Sequence, residues 1–134
     1  MLKLQNRLHE FTKMHDEFIR DWNHAMSSGD TSSVERMAED YYVAFFNNGN
    51  DKPVIYTRQE AINGMEQSVK HFSGANKRFE NRVIRLRNDE SAVVFYEQLI
   101  VKEEEVLARL FTIENWKLIK DRWMIIRETE EPIH

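Results

Sequence analysis

The sequence predicts an α+β domain in which a curved antiparallel sheet wraps around three helices from the first half of the chain. Apolar residues recur at helical spacing up to about residue 72, and four runs of strand-forming residues then alternate with short polar clusters. Helices that precede a long antiparallel meander pack together against one face of the sheet, and a bent sheet leaves a hollow at its wide end. We therefore expect a cone-shaped fold with an internal hollow.

A long amphipathic helix is predicted at the start of the chain, ending at Gly29, which suits a left-handed cap. Its stripe residues are spaced three or four apart and are Leu4, Leu8, Phe11, His15, Phe18, Trp22 and Met26. Ser32 and Glu35 have the spacing of a capping box, which predicts a second, short helix. The expected buried side of that helix consists of Val34, Met37, Ala38 and Tyr41.

A first, mostly apolar strand is predicted over residues 42–46, followed by a loop over residues 47–57. The polar residues expected to stop the strand are Asn47, Asn48, Gly49 and Asn50. Thr57 and Glu60 repeat the capping-box spacing at the head of a third helix. The apolar stripe of this helix consists of Ile62, Met65, Val69 and Phe72, and Gly74 closes it.

Four strands are predicted at about residues 77–87, 91–101, 105–119 and 122–130, and the short clusters between them make neighbouring strands antiparallel. Turn centres at these clusters fix the register. The expected pairs are Ile84 with Phe95, Leu99 with Ala108, Glu97 with Leu110, Trp116 with Ile125 and Leu118 with Trp123. We interpret Glu114 with Arg127, and Arg82 with Glu97, as cross-strand ion pairs.

Both faces of the predicted sheet are rich in apolar residues, unlike an antiparallel sheet with one solvated face. The helices can cover only one of these faces. We therefore predict that the second face is buried against another subunit, most simply in a two-fold homodimer.

Length and composition exclude several classes of protein. The 134 residues include 19 basic and 23 acidic side chains in a well-mixed order, with a formal net charge of −4 and no cysteine. We expect one domain over residues 1–134, with no broad basic surface for nucleic acid. Disulfides, a thiolate nucleophile and cysteine-ligated metals are excluded. No apolar run predicts a membrane span or a signal peptide, so a cytoplasmic protein without membrane association is expected.

The order of the predicted elements resembles that of the nuclear transport factor 2-like superfamily, a group of cone-shaped, cystatin-like domains, over nearly the full chain. The features that carry the resemblance are AMSSGD at residues 25–30, MAEDYY at 37–42, RQEAI at 58–62, and the pair Trp116 and Trp123. Together they look like the small bacterial SnoaL-like, polyketide-cyclase-like branches. The resemblance implies a fold shared by isomerases, dehydratases, cyclases, epoxide hydrolases and members that only bind or assemble, so the fold alone assigns no reaction.

No catalytic motif is complete in this sequence. An isomerase of the ketosteroid type is expected to carry a carboxylate about five residues beyond the acidic end of the second helix, but that position is Phe45. An epoxide-hydrolase-like water site is disfavoured because Glu97 and Glu114 lie about 13 Å apart in the predicted register. No two histidines have metal-ligand spacing. We therefore assign no catalytic residue, metal or cofactor.

The residues expected to line the hollow are His15, Trp22, Tyr42, Tyr96, Arg109 and Glu128. His15 is either a satisfied core histidine or a ligand-binding or proton-transfer group. Arg109, in mid-strand among apolar residues, needs a buried partner such as Glu128 or an anionic ligand.

Our hypothesis is a binding protein, without turnover, for a small apolar or carboxylate-bearing molecule. The first alternative is a lyase or isomerase that uses His15 or Glu128 as general acid and base. The second is a dimerisation or assembly module without a ligand, whose hollow is filled by its own side chains.

Overall fold

The computed structural model describes residues 2–47 and 51–133 and consists of a curved six-stranded sheet with two α-helices packed on one face. In chain order the elements are α1 (Leu2–Ser28), a 3₁₀ turn (Ser32–Val34), β1 (Met37–Phe45), β2 (Val54–Thr57), α2 (Arg58–His71), β3 (Asn76–Asn88), β4 (Ser91–Lys102), β5 (Glu105–Ile119) and β6 (Arg122–Pro132). The predicted α+β class and the curved sheet around helices are confirmed. Asn48, Gly49 and Asn50, expected to stop the first strand, lie outside the described residues.

Both predicted long helices are present and end as expected. The α1 stripe from Phe11 to Met26 is buried. Gly29 adopts a φ of +83° after α1, and its backbone N–H donates to the Ala25 carbonyl at 2.8 Å. At the start of α2, Thr57 and Glu60 form the predicted capping box through two reciprocal side-chain to backbone hydrogen bonds.

The predicted second helix is wrong. Residues 32–34 make only one 3₁₀ turn, and the chain then enters β1 at Met37, five residues earlier than expected. No Ser32 side-chain cap forms; instead the Thr31 hydroxyl donates to the Glu35 carboxylate at 2.7 Å. The apolar spacing fits a helix, but pairing of this segment with the last strand of the chain overrides it.

The sheet has the order β2-β1-β6-β5-β4-β3. The four C-terminal strands form the predicted antiparallel meander. Two features were not predicted: β1 pairs with β6 in parallel, and part of the expected loop forms β2, which pairs antiparallel with β1. The sheet is therefore mixed rather than wholly antiparallel.

The predicted register is correct beside each turn and wrong beyond the first bulge. Next to the β5–β6 turn, Trp116 lies opposite Ile125 and Leu118 opposite Trp123, as predicted. A shift at Ile126 then places Glu128, not Arg127, opposite Glu114. Shifts in the other two hairpins change the remaining pairs: Ile84 lies opposite Val94, Leu99 opposite Arg109, and Glu97 opposite Phe111.

The helices cover the concave face of the sheet, and apolar side chains remain exposed on the other face. Phe111, Val83 and Ile55 have 43%, 56% and 52% of their surface exposed. The core lies between α1, α2 and the concave face, where Phe11, Phe18 and Trp116 are fully buried.

Candidate functional site

A cavity of about 330 Å³ lies between the two helices and the concave face of the sheet. Its volume is at the lower end of the range of small-molecule sites, roughly 300–1,000 Å³. Seven aromatic side chains contribute to its wall: Phe18, Trp22, Tyr41, Phe45, Tyr56, Phe72 and Tyr96. Four ionisable groups converge on the same space: Lys77, Glu114, Glu128 and Glu130. The site is thus mainly apolar, with a cluster of charge-bearing groups in its wall.

Glu114, on β5, is the most completely hydrogen-bonded of these groups. It is 1% exposed and accepts hydrogen bonds from the Tyr96 hydroxyl at 2.5 Å and the Trp116 indole N–H at 2.9 Å. Its third partner is the Nε2 atom of His15, at 2.8 Å. The carboxylate therefore joins α1, β4 and β5 at the inner end of the cavity.

The tautomer of His15 follows from its two neighbours. Nδ1 of His15 lies 3.1 Å from a guanidinium nitrogen of Arg82, and Arg82 can only donate. Nδ1 is therefore the acceptor, so Nε2 carries the hydrogen that is donated to Glu114. Arg82 also donates to Asp16 at 2.7 Å, and this pair is partly exposed. A hydrogen-bonded chain thus runs from the surface to the cavity wall.

Glu128 and Glu130, on β6, form the acidic part of the cavity. The Tyr41 hydroxyl donates to Glu128 at 2.7 Å. Burial raises the pKa of the Glu128 carboxyl well above its usual range, and the negative charges of Glu130 and Glu114 raise it further. Burial also raises the pKa of Glu130, although Lys77 opposes this. Glu128 therefore gives up its proton at a higher pH than an exposed glutamate does.

Lys77, near the start of β3, is a buried lysine in the wall of this cavity. It is 7% exposed, and its Nζ lies 3.3 Å from the centroid of the Trp22 ring. Burial lowers the pKa of Lys77 to about 8, against the opposing effect of the nearby glutamates. The cation–π contact partly compensates for the lost hydration of the ammonium group.

The structure brings together four of the six side chains predicted to line the hollow. Trp22, Tyr96 and Glu128 line the cavity, and His15 lies immediately behind its wall through Glu114. His15 is fully buried, and its ring centroid is within 6.3 Å of those of Phe11, Phe18, Tyr96 and Trp116. This environment fits the core histidine that the sequence offered as one alternative, and a ligand-binding or proton-transfer role for His15 stays a prediction.

Tyr42 and Arg109 do not line the cavity, which corrects the prediction. Tyr42 is exposed and precedes the inward-facing Val43 on β1, so its side chain is on the other face. Arg109 is also exposed and needs neither a buried partner nor an anionic ligand. The predicted ion pairs are wrong too, because Arg82 contacts His15 and Asp16, and Arg127 is exposed opposite Asn115.

Four groups at the site were missed by sequence reasoning: Tyr41, Lys77, Glu114 as a cavity residue, and Glu130. Tyr41 was placed on a helix that does not form. Lys77 could have been found from the sequence: it precedes Phe79 by two residues, so strand alternation places this lysine on the apolar, inward face. Glu130 faces the cavity only because of the bulge that also places Glu128 on the inner face, and that bulge was not predicted.

The arrangement can bind an uncharged molecule with a polar end and can move protons between carboxyl, hydroxyl and amine groups. Among residues 2–47 and 51–133, no group of three His, Asp or Glu side chains has a geometry that could hold a metal ion. Neither α1 nor α2, the helices within those residues, is long and apolar enough to span a membrane.

Comparisons by sequence find no matching family model and no matching curated protein. Comparison by structure finds an NTF2-like protein with a cystatin-like fold from Novosphingobium aromaticivorans, with a TM-score of 0.75, 14% identity, and coverage of 98% of this chain and 88% of that one.

A protein of unknown function with a cystatin-like fold from Nostoc punctiforme matches with a TM-score of 0.67 and 16% identity, covering 87% and 86% of the two chains. An NTF2-like protein from Cytophaga hutchinsonii matches with a TM-score of 0.63 and 17% identity, covering 91% of this chain and 98% of that one. At these identities the likeness concerns the fold. The chain has the cystatin-like fold of the nuclear transport factor 2-like proteins, as the sequence resemblance implied.

Proposed function

We propose that the protein binds a small, mostly apolar molecule in this cavity, with an uncharged polar end directed at Lys77, Glu128 and Glu130. The observation that carries the proposal is the cavity itself, whose aromatic wall surrounds a buried lysine, the buried Glu114 and two half-buried glutamates. A hollow filled by its own side chains would leave no such volume. We also propose, as expected from the sequence, that the protein belongs to the SnoaL-like branch and is cytoplasmic.

An apolar ligand is favoured over the carboxylate-bearing ligand that the sequence also predicted. The cavity wall contains three carboxyl groups and one amine, which disfavours a further negative charge. Arg109, the reason for expecting an anion, is outside the cavity.

The test is calorimetric titration with 2-naphthol, a neutral aromatic alcohol. Ala108 lines the cavity from β5, so Ala108→Phe fills part of the space. The neighbouring Leu107 is exposed and does not line it, so Leu107→Phe is the matched control. We expect measurable binding to the unmodified chain and to Leu107→Phe, and at least about tenfold weaker binding to Ala108→Phe, from lost contacts and occluded volume. No heat of binding to the unmodified chain, or equal binding to both variants, would contradict the proposal.

General acid and base catalysis, as in a lyase or isomerase, is the second candidate. It is favoured by the raised pKa of Glu128 beside the Tyr41 hydroxyl, because a carboxyl whose pKa lies above its ordinary value is better suited to proton transfer. The same titration with turnover monitored by chromatography separates binding from conversion.

An assembly role is the third candidate, and it does not depend on the cavity. It is supported by the exposed apolar side chains on the outer face of the sheet, among them Phe111 and Val83. We propose the two-fold homodimer through this face, as expected from the sequence, alongside either ligand-based function.

A further inference from the structure

Lys77 differs in environment from the other lysines of this chain. The sequence contains eight lysines. The other seven are exposed, whereas Lys77 is 7% exposed and lines the cavity. A buried amine in an apolar wall is costly and rare unless its charge is paired or it has a chemical use.

The backbone at Lys77 is held in place by a side chain of α1. Because β3 is an edge strand, its outward-facing backbone groups lack a neighbouring strand. The Asn23 carboxamide replaces that neighbour: its Oδ1 accepts from the Lys77 N–H at 2.8 Å and its Nδ2 donates to the Lys77 carbonyl at 3.1 Å. This clamp fixes where the lysine side chain enters the cavity.

The amine itself is positioned but not neutralised by a close partner. Its Nζ rests on the Trp22 ring at 3.3 Å. Among the described residues, no carboxylate oxygen lies within 4 Å of this nitrogen, although Glu114, Glu128 and Glu130 line the same cavity. An ion pair would hold the lysine as an ammonium, so the absence of a close carboxylate leaves its lone pair more readily available.

We propose that Lys77 is a nucleophile that forms a Schiff base with an aldehyde or ketone ligand in the cavity. The Nζ lone pair attacks the carbonyl carbon, the C–N bond forms as the C=O π bond breaks, and one proton passes from the nitrogen to the oxygen to give a carbinolamine. The carbinolamine hydroxyl is then protonated by a carboxyl group and leaves as water as the C–O bond breaks. The nitrogen lone pair forms the C=N bond, and the remaining N–H proton returns to the carboxylate. The net change is one amine plus one carbonyl giving one imine plus one water, with no oxidant or reductant.

Two further features of the site suit this chemistry. With a pKa of about 8, roughly a tenth of Lys77 is the neutral amine at pH 7, compared with well under about one in a thousand for an exposed lysine. Glu128 and Glu130 line the same space, and burial raises the pKa of both carboxyls, which suits them to supply the proton that the departing hydroxyl requires.

This inference rests on the proposed ligand-binding function, and its test uses hexanal as the probe. The unmodified chain is incubated with substoichiometric hexanal near pH 7, reduced with sodium borohydride, digested, and mapped by mass spectrometry for hexyl-lysine. We expect the adduct at Lys77 at least about tenfold above that at any exposed lysine, because an amine in water is almost entirely the unreactive ammonium near pH 7. Equal labelling of all eight lysines, or labelling confined to the exposed ones, would overturn the proposal.

Variants and a parallel measurement separate the possible failures. Lys77→Arg keeps the charge but cannot form an imine, and we expect it to lose the selective adduct while Lys117→Arg, an exposed control on β5, keeps it. If either variant fails to fold, the site distribution in the unmodified chain still decides the question. If 2-naphthol binds but Lys77 is not selectively labelled, the Schiff-base inference fails and the proposed binding function stands. If neither probe engages the cavity, both fail.

Discussion

Replacing Glu114 by alanine removes the acceptor of three hydrogen bonds at once. The donors are the side chains of His15, Tyr96 and Trp116, and each of these residues is 3% exposed or less. A buried donor left without an acceptor costs about 1–3 kcal/mol. Three such donors are unpaired, and water from the cavity can reach part of the vacated space, so we expect Glu114→Ala to lower the free energy of unfolding by about 3–5 kcal/mol.

Glu114→Gln is the matched variant that keeps the shape. Its carbonyl oxygen can accept from His15 and Trp116, and its amide can donate to the Tyr96 hydroxyl, so the charge is lost and the Tyr96 O–H is left without its acceptor. The loss of charge costs about 1 kcal/mol and the unpaired buried donor about 1–3 kcal/mol, so the expected loss is about 2–4 kcal/mol. Exposed Glu131 on β6 provides the control, with an expected change within about 0.5 kcal/mol for Glu131→Ala.

Urea denaturation with linear extrapolation measures these differences, provided that the three variants and the unmodified chain share the same m-value. If Glu114→Ala is too unstable to purify, the Gln variant alone still tests the argument. A Glu114→Ala variant within about 1 kcal/mol of the unmodified chain would refute the view that this carboxylate organises the buried network.

The remaining predictions concern pH and assembly. The pKa of Lys77 is about 8 in the folded chain and 10.5 in the unfolded chain, so the free energy of unfolding should rise between pH 8 and pH 10.5 by at most about 3 kcal/mol. Urea melts at each pH should show this rise for the unmodified chain and not for Lys77→Met. Because the pKa of Glu128 is raised from 4.5, the unmodified chain should lose stability as pH rises above 4.5. Glu128→Gln should lose less, since the raised pKa of Glu130 remains, so a constant difference between the two from pH 4 to 8 would contradict the assignment. In sedimentation velocity, the unmodified chain should be a dimer at micromolar concentration. Phe111→Glu, on the outer sheet face, should be a monomer, whereas the control Leu4→Glu, on α1, should stay a dimer. A monomeric unmodified chain would refute the interface.

The parts of the fold that could be read from the sequence are those governed by local chemistry. Thr57 and Glu60 cap α2 as their spacing predicts, because both partners lie within one helical turn. The tight turns at Glu103–Glu104 and Lys120–Asp121 have positive φ at both residues, and each gives the correct hairpin register beside it. The strand β1 was misread because its parallel partner lies about 85 residues away, where local spacing carries no information.

The candidate site depends on β-bulges that the sequence pattern does not predict. In β3 a bulge places two residues, Asn81 and Arg82, opposite a single residue of β4, and Asn81 has a φ of +57°. As a result, Arg82 contacts His15 and Asp16 rather than Glu97. In β6 the shift at Ile126 exchanges Arg127 for Glu128 opposite Glu114. Each extra residue reverses which side chains face inward from that point. Nearly correct bounds for the four C-terminal strands were therefore compatible with an incorrect list of cavity residues.

The bulge at Ile126 also creates a conflict that bears on function. It places two carboxyl groups, Glu114 and Glu128, directly opposite each other on the concave face, where like charges destabilise a sheet. Without the shift, an arginine would oppose Glu114 and the pair would be favourable. A stability cost concentrated in the wall of a cavity is typical of a site retained for its chemistry. Glu128→Gln should accordingly stabilise the fold near neutral pH while weakening engagement of a ligand's polar end. A variant that gained stability and bound 2-naphthol with unchanged affinity would show that Glu128 does not take part in ligand binding. The bulge would then have no functional explanation.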